Sequence, residues 1–171
     1  MIVIICETIS RQFYKQDVKL ANSFSMNQNQ ASGAPLVLVI EDNEDNLVLI
    51  TYILESLGCK LIVQRDGGEK TVILAKKYHP DLILLDIVLP EVSGIEILKF
   101  LKAEPLTRNV PTIAVTALVT EENRENIIRA GFNNYIIKPY LIEELEQMIN
   151  SYISKDFNYS SNYMMEKDNL C

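Results

Sequence analysis

At 171 residues the chain is the size of one domain, and 48% apolar residues with a mean hydropathy of +0.07 describe an ordinary globular core that needs no disulfide or structural metal. Its 23 acidic residues outnumber 16 basic ones, and the net charge of −7 excludes a generic grip on nucleic acid, which needs a cationic stripe. The three cysteines, Cys6, Cys59 and Cys171, are odd in number and lack ligand-like spacing, so they read as free thiols of a reducing compartment.

In chain order, Met1–Cys6 is apolar but has no basic leader and turns polar at Glu7. It is neither a membrane span nor a secretory signal, and the protein is expected in the cytoplasm, away from membranes. Residues 22–34 run through Asn, Gln, Ser and Gly with little to bury, so residues 1–34 are expected to form a flexible extension, with Met26 as an alternative start. Leu36–Ile40 is an unbroken apolar run, the pattern of a strand covered on both faces. Leu47, Ile50, Leu54 and Leu57 then repeat at helical spacing, with Gly58 as the stop. The cycle recurs: strand Lys60–Gln64 and helix Gly68–Tyr78, strand Asp81–Leu85 and helix Gly94–Lys102. Strand Val110–Val115 precedes helix Glu121–Ala130, stopped by Gly131, and strand Asn134–Ile137 precedes helix Leu141–Ile153. His79, before Pro80, reads as the residue closing the second helix, and Gly67–Gly68 as a turn. The domain is expected to span 35–153, with a disordered tail over 154–171.

Strands joined by single helices form a parallel sheet with helices on both faces, a doubly wound α/β fold of five strands and five helices. In such sheets ligands bind beyond the carboxyl ends of the strands. The first strand ends in Glu41 and Asp42, the third in Asp86, the fourth in Thr116, and the fifth in Lys138 followed by Pro139. Carboxylates ending neighbouring first and third strands, about 4.8 Å apart, repel one another. Either one keeps its proton or a cation sits among them, and a hard divalent ion such as Mg²⁺ suits an all-oxygen cluster. Taken singly, Asp42 or Asn43 reads as a helix cap, and Thr116 is equally plain; the combination is what points to a site.

Val39-Ile40-Glu41-Asp42-Asn43, Asp86-Ile87-Val88-Leu89-Pro90 with Ser93-Gly94, Ala114-Val115-Thr116-Ala117 and Tyr135-Ile136-Ile137-Lys138-Pro139-Tyr140 resemble the motifs of the receiver domain of two-component response regulators, of the chemotaxis-regulator type. The resemblance covers residues 36–153 and implies a flavodoxin-like sheet of strand order 2-1-3-4-5. It implies that Asp86 accepts a phosphoryl group from a sensor histidine kinase or a histidine phosphotransfer protein. Glu41, Asp42, Asp86 and the Val88 backbone carbonyl would hold Mg²⁺, Lys138 would pair with the acyl phosphate, and Thr116 would hydrogen-bond it. Thr116 and Tyr135 would act as the switch, and the Lys138–Pro139 peptide would be cis. A stand-alone receiver of this kind would signal by protein contact with a downstream target, or as a homodimer through the face of the fourth helix, fifth strand and fifth helix.

Two positions depart from the common pattern. Ser93 stands where many receivers have Asp, a position outside the metal site, so no loss of phosphorylation is expected. Val88 is apolar where it would have to orient the hydrolytic water, which implies slow self-dephosphorylation. The same residue weakens an aspartate-phosphatase reading, which needs an acid/base Asp there. The remaining alternative is a pseudo-receiver that is never phosphorylated and binds a partner constitutively; a flavin binder of the same architecture would be coloured.

Overall fold

The computed structural model describes residues 33–117 and 120–154. The expected leader and tail, with Met26, Cys6 and Cys171, lie outside the described residues, except Gly33, Ala34 and Ser154. Among the described residues five strands alternate with five helices: β1 (Leu36–Ile40), α1 (Glu44–Ser56), β2 (Lys60–Gln64), α2 (Glu69–Tyr78), β3 (Leu82–Leu85), α3 (Gly94–Ala103), β4 (Thr112–Thr116), α4 (Glu121–Ala130), β5 (Asn134–Ile137) and α5 (Ile142–Ile153). The sheet is wholly parallel, in the order β2-β1-β3-β4-β5. Among the described residues no helix is long and apolar enough to cross a membrane.

Successive side chains of a strand point to opposite faces, and here both faces are covered. Val37, Val39, Leu82, Leu84, Ile113 and Val115 pack with Ile50, Ile53 and Leu54 of α1 and Leu145, Ile149 and Ile153 of α5. The alternate residues Leu38, Ile40, Ile83 and Leu85 pack with Ala75 of α2 and Ile97, Leu98 and Leu101 of α3. A smaller cluster joins Ile87, Ala114 and Ile127, the last from α4. Leu82–Leu85 is buried at every position, which is why its sequence shows no polar alternation.

The element ends have local causes. Asn43 caps α1, its Oδ1 accepting the Asn46 backbone N–H at 3.0 Å. Gly58 takes a φ of 70° just past α1, a conformation that costs a residue with a Cβ, and the chain turns into β2. His79 closes α2 in the left-handed region at φ 48°, its N–H donating to the Ala75 carbonyl at 3.0 Å. Two strand starts differ from expectation. β3 begins at Leu82 because Asp81 turns its side chain back, Oδ2 accepting the Leu36 N–H at 2.8 Å. β4 begins at Thr112 and not Val110: the Val110 N–H donates to Thr107 in a turn, and Pro111 has no N–H to give the ladder. Cys59 is a buried free thiol whose pKa is raised by burial and by the Asp81 charge, leaving it a poor nucleophile.

Candidate acidic site at the carboxyl edge of the sheet

Because β1 and β3 are neighbours, Glu41 and Asp86, the residues after Ile40 and Leu85, emerge side by side. Glu41 is 1% and Asp86 5% exposed, and Asp42 is half-buried beside them. Glu41, Asp42 and Asp86 each offer a carboxylate oxygen, and these lie within 4.8 Å of one another. Asn43 takes the helix-capping role, which leaves the Asp42 carboxylate to the cluster; the Asp42 carbonyl accepts from Arg65 Nη2 at 3.2 Å.

Lys138 follows β5 and reaches across the edge. Its Nζ is 2.6 Å from Glu41 Oε2 and 2.6 Å from Asp86 Oδ2. Burial alone would push the ammonium down in pKa, but the bonds to Asp86 and Glu41 outweigh it and hold the group above the ordinary lysine value. The Lys138 N–H donates to the Thr116 carbonyl at 2.8 Å, and the Lys138–Pro139 peptide is cis. Thr116, fully buried, ends β4 on the same edge. In formal charge, three carboxylates face one ammonium, an excess of two that a divalent cation would match. The donors are all oxygen, the set a hard ion such as Mg²⁺ prefers.

The loop after Asp86 is held tightly. The Val88 N–H donates to Asp86 Oδ1 at 2.8 Å, while the residue is 55% exposed. The Gly94 N–H donates to the Ile87 carbonyl at 3.0 Å, and Ser93 caps α3, its Oγ accepting from the Ile95 N–H at 3.3 Å. Tyr135 is half-buried in the middle of β5, level with Ala114 and packed by the Ile87–Ala114–Ile127 cluster; it stands three residues before Lys138 and not at the strand end.

Three contributors went unrecognised in the sequence. The Asn46 side-chain amide donates to Glu41 Oε1 at 2.9 Å. Gly94 approaches the Asp86 backbone so closely that no side chain fits. Tyr140 lies near enough to Glu41 and Asp86 for their charges to act on its phenol, whose pKa is pushed up to about 12, chiefly by burial. Gly94 and Tyr140 stood in the quoted motifs without these roles, whereas Asn46 left no trace.

The family model of the response regulator receiver domain matches residues 37–150. The chain is 43% identical over 117 residues to the polar-differentiation response regulator DivK of Brucella ovis, an alignment covering 68% of this chain and 94% of that one. Among solved structures, the receiver domain of a Pseudomonas aeruginosa sensor histidine kinase, with a magnesium ion coordinated in its active-site cleft, is 34% identical. Its TM-score is 0.65, over 71% of this chain and 98% of that one. A response regulator receiver domain protein of Methanospirillum hungatei is 28% identical with a TM-score of 0.63, over 71% and 94%. With the strand order and the edge cluster already in view, these matches establish that the chain belongs to the response regulator receiver family.

Proposed function

We propose that residues 35–153 act as a phosphoacceptor domain, with Asp86 taking a phosphoryl group from a phosphohistidine on a sensor histidine kinase or a histidine phosphotransfer protein. The observation that carries this is the meeting of three carboxylates within 4.8 Å under an ammonium 2.6 Å from two of them. In the transfer, one Asp86 oxygen forms the new P–O bond while the P–N bond breaks and its electron pair returns to the imidazole. Such a step asks for positioning and charge neutralisation more than for a strong base. Glu41, Asp42, Asp86 and the Val88 carbonyl are the residues that would hold Mg²⁺, which when bound neutralises phosphoryl oxygens. The magnesium ion in the Pseudomonas receiver supports this assignment.

The remaining roles rest on position for Lys138 and Thr116 and on the family resemblance for the switch. Lys138, already over Asp86, pairs with the charge of the acyl phosphate, and Thr116 offers its hydroxyl from the end of β4. Thr116 and Tyr135 are the switch, and the affected surface is that of α4, β5 and α5, which meets a downstream target or a second copy of the chain. The output is therefore protein contact, not catalysis on a further substrate.

The test is to incubate the wild type and Asp86→Ala with acetyl phosphate, with and without Mg²⁺, and to weigh the intact chain. One phosphoryl group gained only by the wild type and only with Mg²⁺ is expected. No gain together with no metal binding would discard this mechanism in favour of the constitutive binding module.

A further inference from the structure

We propose that Asn46 is a positioning residue for the metal site, holding the Glu41 carboxylate so that one of its oxygens faces Asp86; this rests on the reading of Glu41 as a metal ligand. Glu41 is almost wholly buried, so protein groups and not water select its conformation. Its two oxygens have separate partners. Oε1 accepts from the Asn46 side-chain amide at 2.9 Å and from the Asn43 backbone N–H at 3.3 Å, and Oε2 lies 2.6 Å from Lys138 Nζ. One oxygen is anchored to the start of α1, and the other is turned to Lys138 and the inside of the cluster.

An ionised carboxylate only accepts, so the edge of the Asn46 carboxamide turned toward it must be the NH₂. That donor is itself fixed in place. The Asn46 backbone N–H donates to the Asn43 cap at 3.0 Å, and the residue borders a cleft of about 280 Å³ with Leu49, Lys138, Pro139 and Tyr140. The two asparagines of Glu41-Asp42-Asn43-Glu44-Asp45-Asn46 therefore divide the work: Asn43 sets the helix and Asn46 sets the ligand. Without the amide, Oε1 keeps only the longer backbone contact, and the carboxylate is steadied mainly from its other oxygen, by Lys138. Partners of this kind behind a metal ligand typically govern affinity about 10- to 100-fold.

Backbone amide shifts of the full chain, followed by NMR against Mg²⁺, test this for the wild type, Asn46→Ala, Glu41→Gln and the double variant. The thermal midpoint in EDTA controls for folding. Asn46→Ala is expected to weaken Mg²⁺ binding about tenfold while the EDTA midpoint stays within about 4 °C. In the Glu41→Gln background the same substitution is expected to change affinity by less than about twofold, because the carboxylate it steadies is gone. A purely structural role would weaken binding equally in both backgrounds. That result, or an Asn46→Ala affinity within about twofold of the wild type, overturns the proposal. Wild-type shifts that do not respond to Mg²⁺ overturn the metal-site reading beneath it as well.

Discussion

A Cβ placed on Gly94 would stand 2.2 Å from the Asp86 carbonyl oxygen and 2.8 Å from the Ile87 Cα. The start of α3 thus packs directly on the backbone that carries Asp86. Gly94→Ala must push that loop outward, and we expect a loss of about 1–3 kcal/mol in urea unfolding. Phosphoryl uptake from acetyl phosphate should fall with it, since Asp86 moves with its own backbone. An unchanged urea midpoint would mean that the loop yields without cost.

Ser93, one residue earlier, serves the helix and not the acidic cluster. Ser93→Ala should cost about 1 kcal/mol of stability through the lost cap, whereas Ser93→Asp, which still caps, should cost a few tenths at most. Neither should alter phosphoryl uptake measured by intact mass. A change in uptake without a change in stability would reassign Ser93 to the site.

The Tyr140 phenol has its pKa raised from 10 to about 12 by burial first and then by the charges of Glu41 and Asp86. In the unfolded chain the proton leaves near 10, while the folded chain keeps it until about 12, so this group lowers stability as pH rises through that window. Lys138 acts in the same sense: its contribution is complete below the ordinary lysine value and is lost as pH rises through its raised folded value. Tyr140→Phe should remove a late-titrating step from the phenolate absorbance and soften the alkaline fall of the thermal midpoint. An absorbance titration that keeps the late step would assign it to another tyrosine.

Val88 is more than half exposed two residues past Asp86, and its apolar side chain offers water no hydrogen bond. Val88→Asn should speed loss of the phosphoryl group, followed by mass after the donor is removed. The expected gain is about 2- to 12-fold, the rate equivalent of one ordinary hydrogen bond of about 0.5–1.5 kcal/mol. Equal decay of the two proteins would count against water positioning at residue 88.

The sheet was legible because its central strands are buried on both faces. Leu36–Ile40 and Leu82–Leu85 admit no polar residue, and runs of that length between helical repeats have few other readings. The strand-end residues 41, 42, 86, 116 and 138 were legible for the same reason, since a parallel sheet delivers them all to one edge. Which of Asp42 and Asn43 caps the helix was not legible, because either side chain can do so and only the fold shows that Asn43 does. Asn46 was illegible because a side-chain amide reaching back five residues depends on the rotamers of both partners. For Gly94 the helix start was legible but its close approach to Asp86 was not, because that depends on the backbone packed beneath it. Val110 misled because it is apolar and close to the strand, but its N–H closes a turn on Thr107 and the missing N–H of Pro111 sets the true start of β4.

Lys138 stands 97 residues from Glu41 and 52 from Asp86 along the chain. During synthesis the two acids leave the ribosome well before the lysine does, and their shared counter-charge arrives only with the fifth strand. A chain arrested short of β5 holds every carboxylate of the cluster and none of the ammonium that offsets them. The site is completed in the last stage of making the domain, so its working state reports that the whole sheet has been assembled.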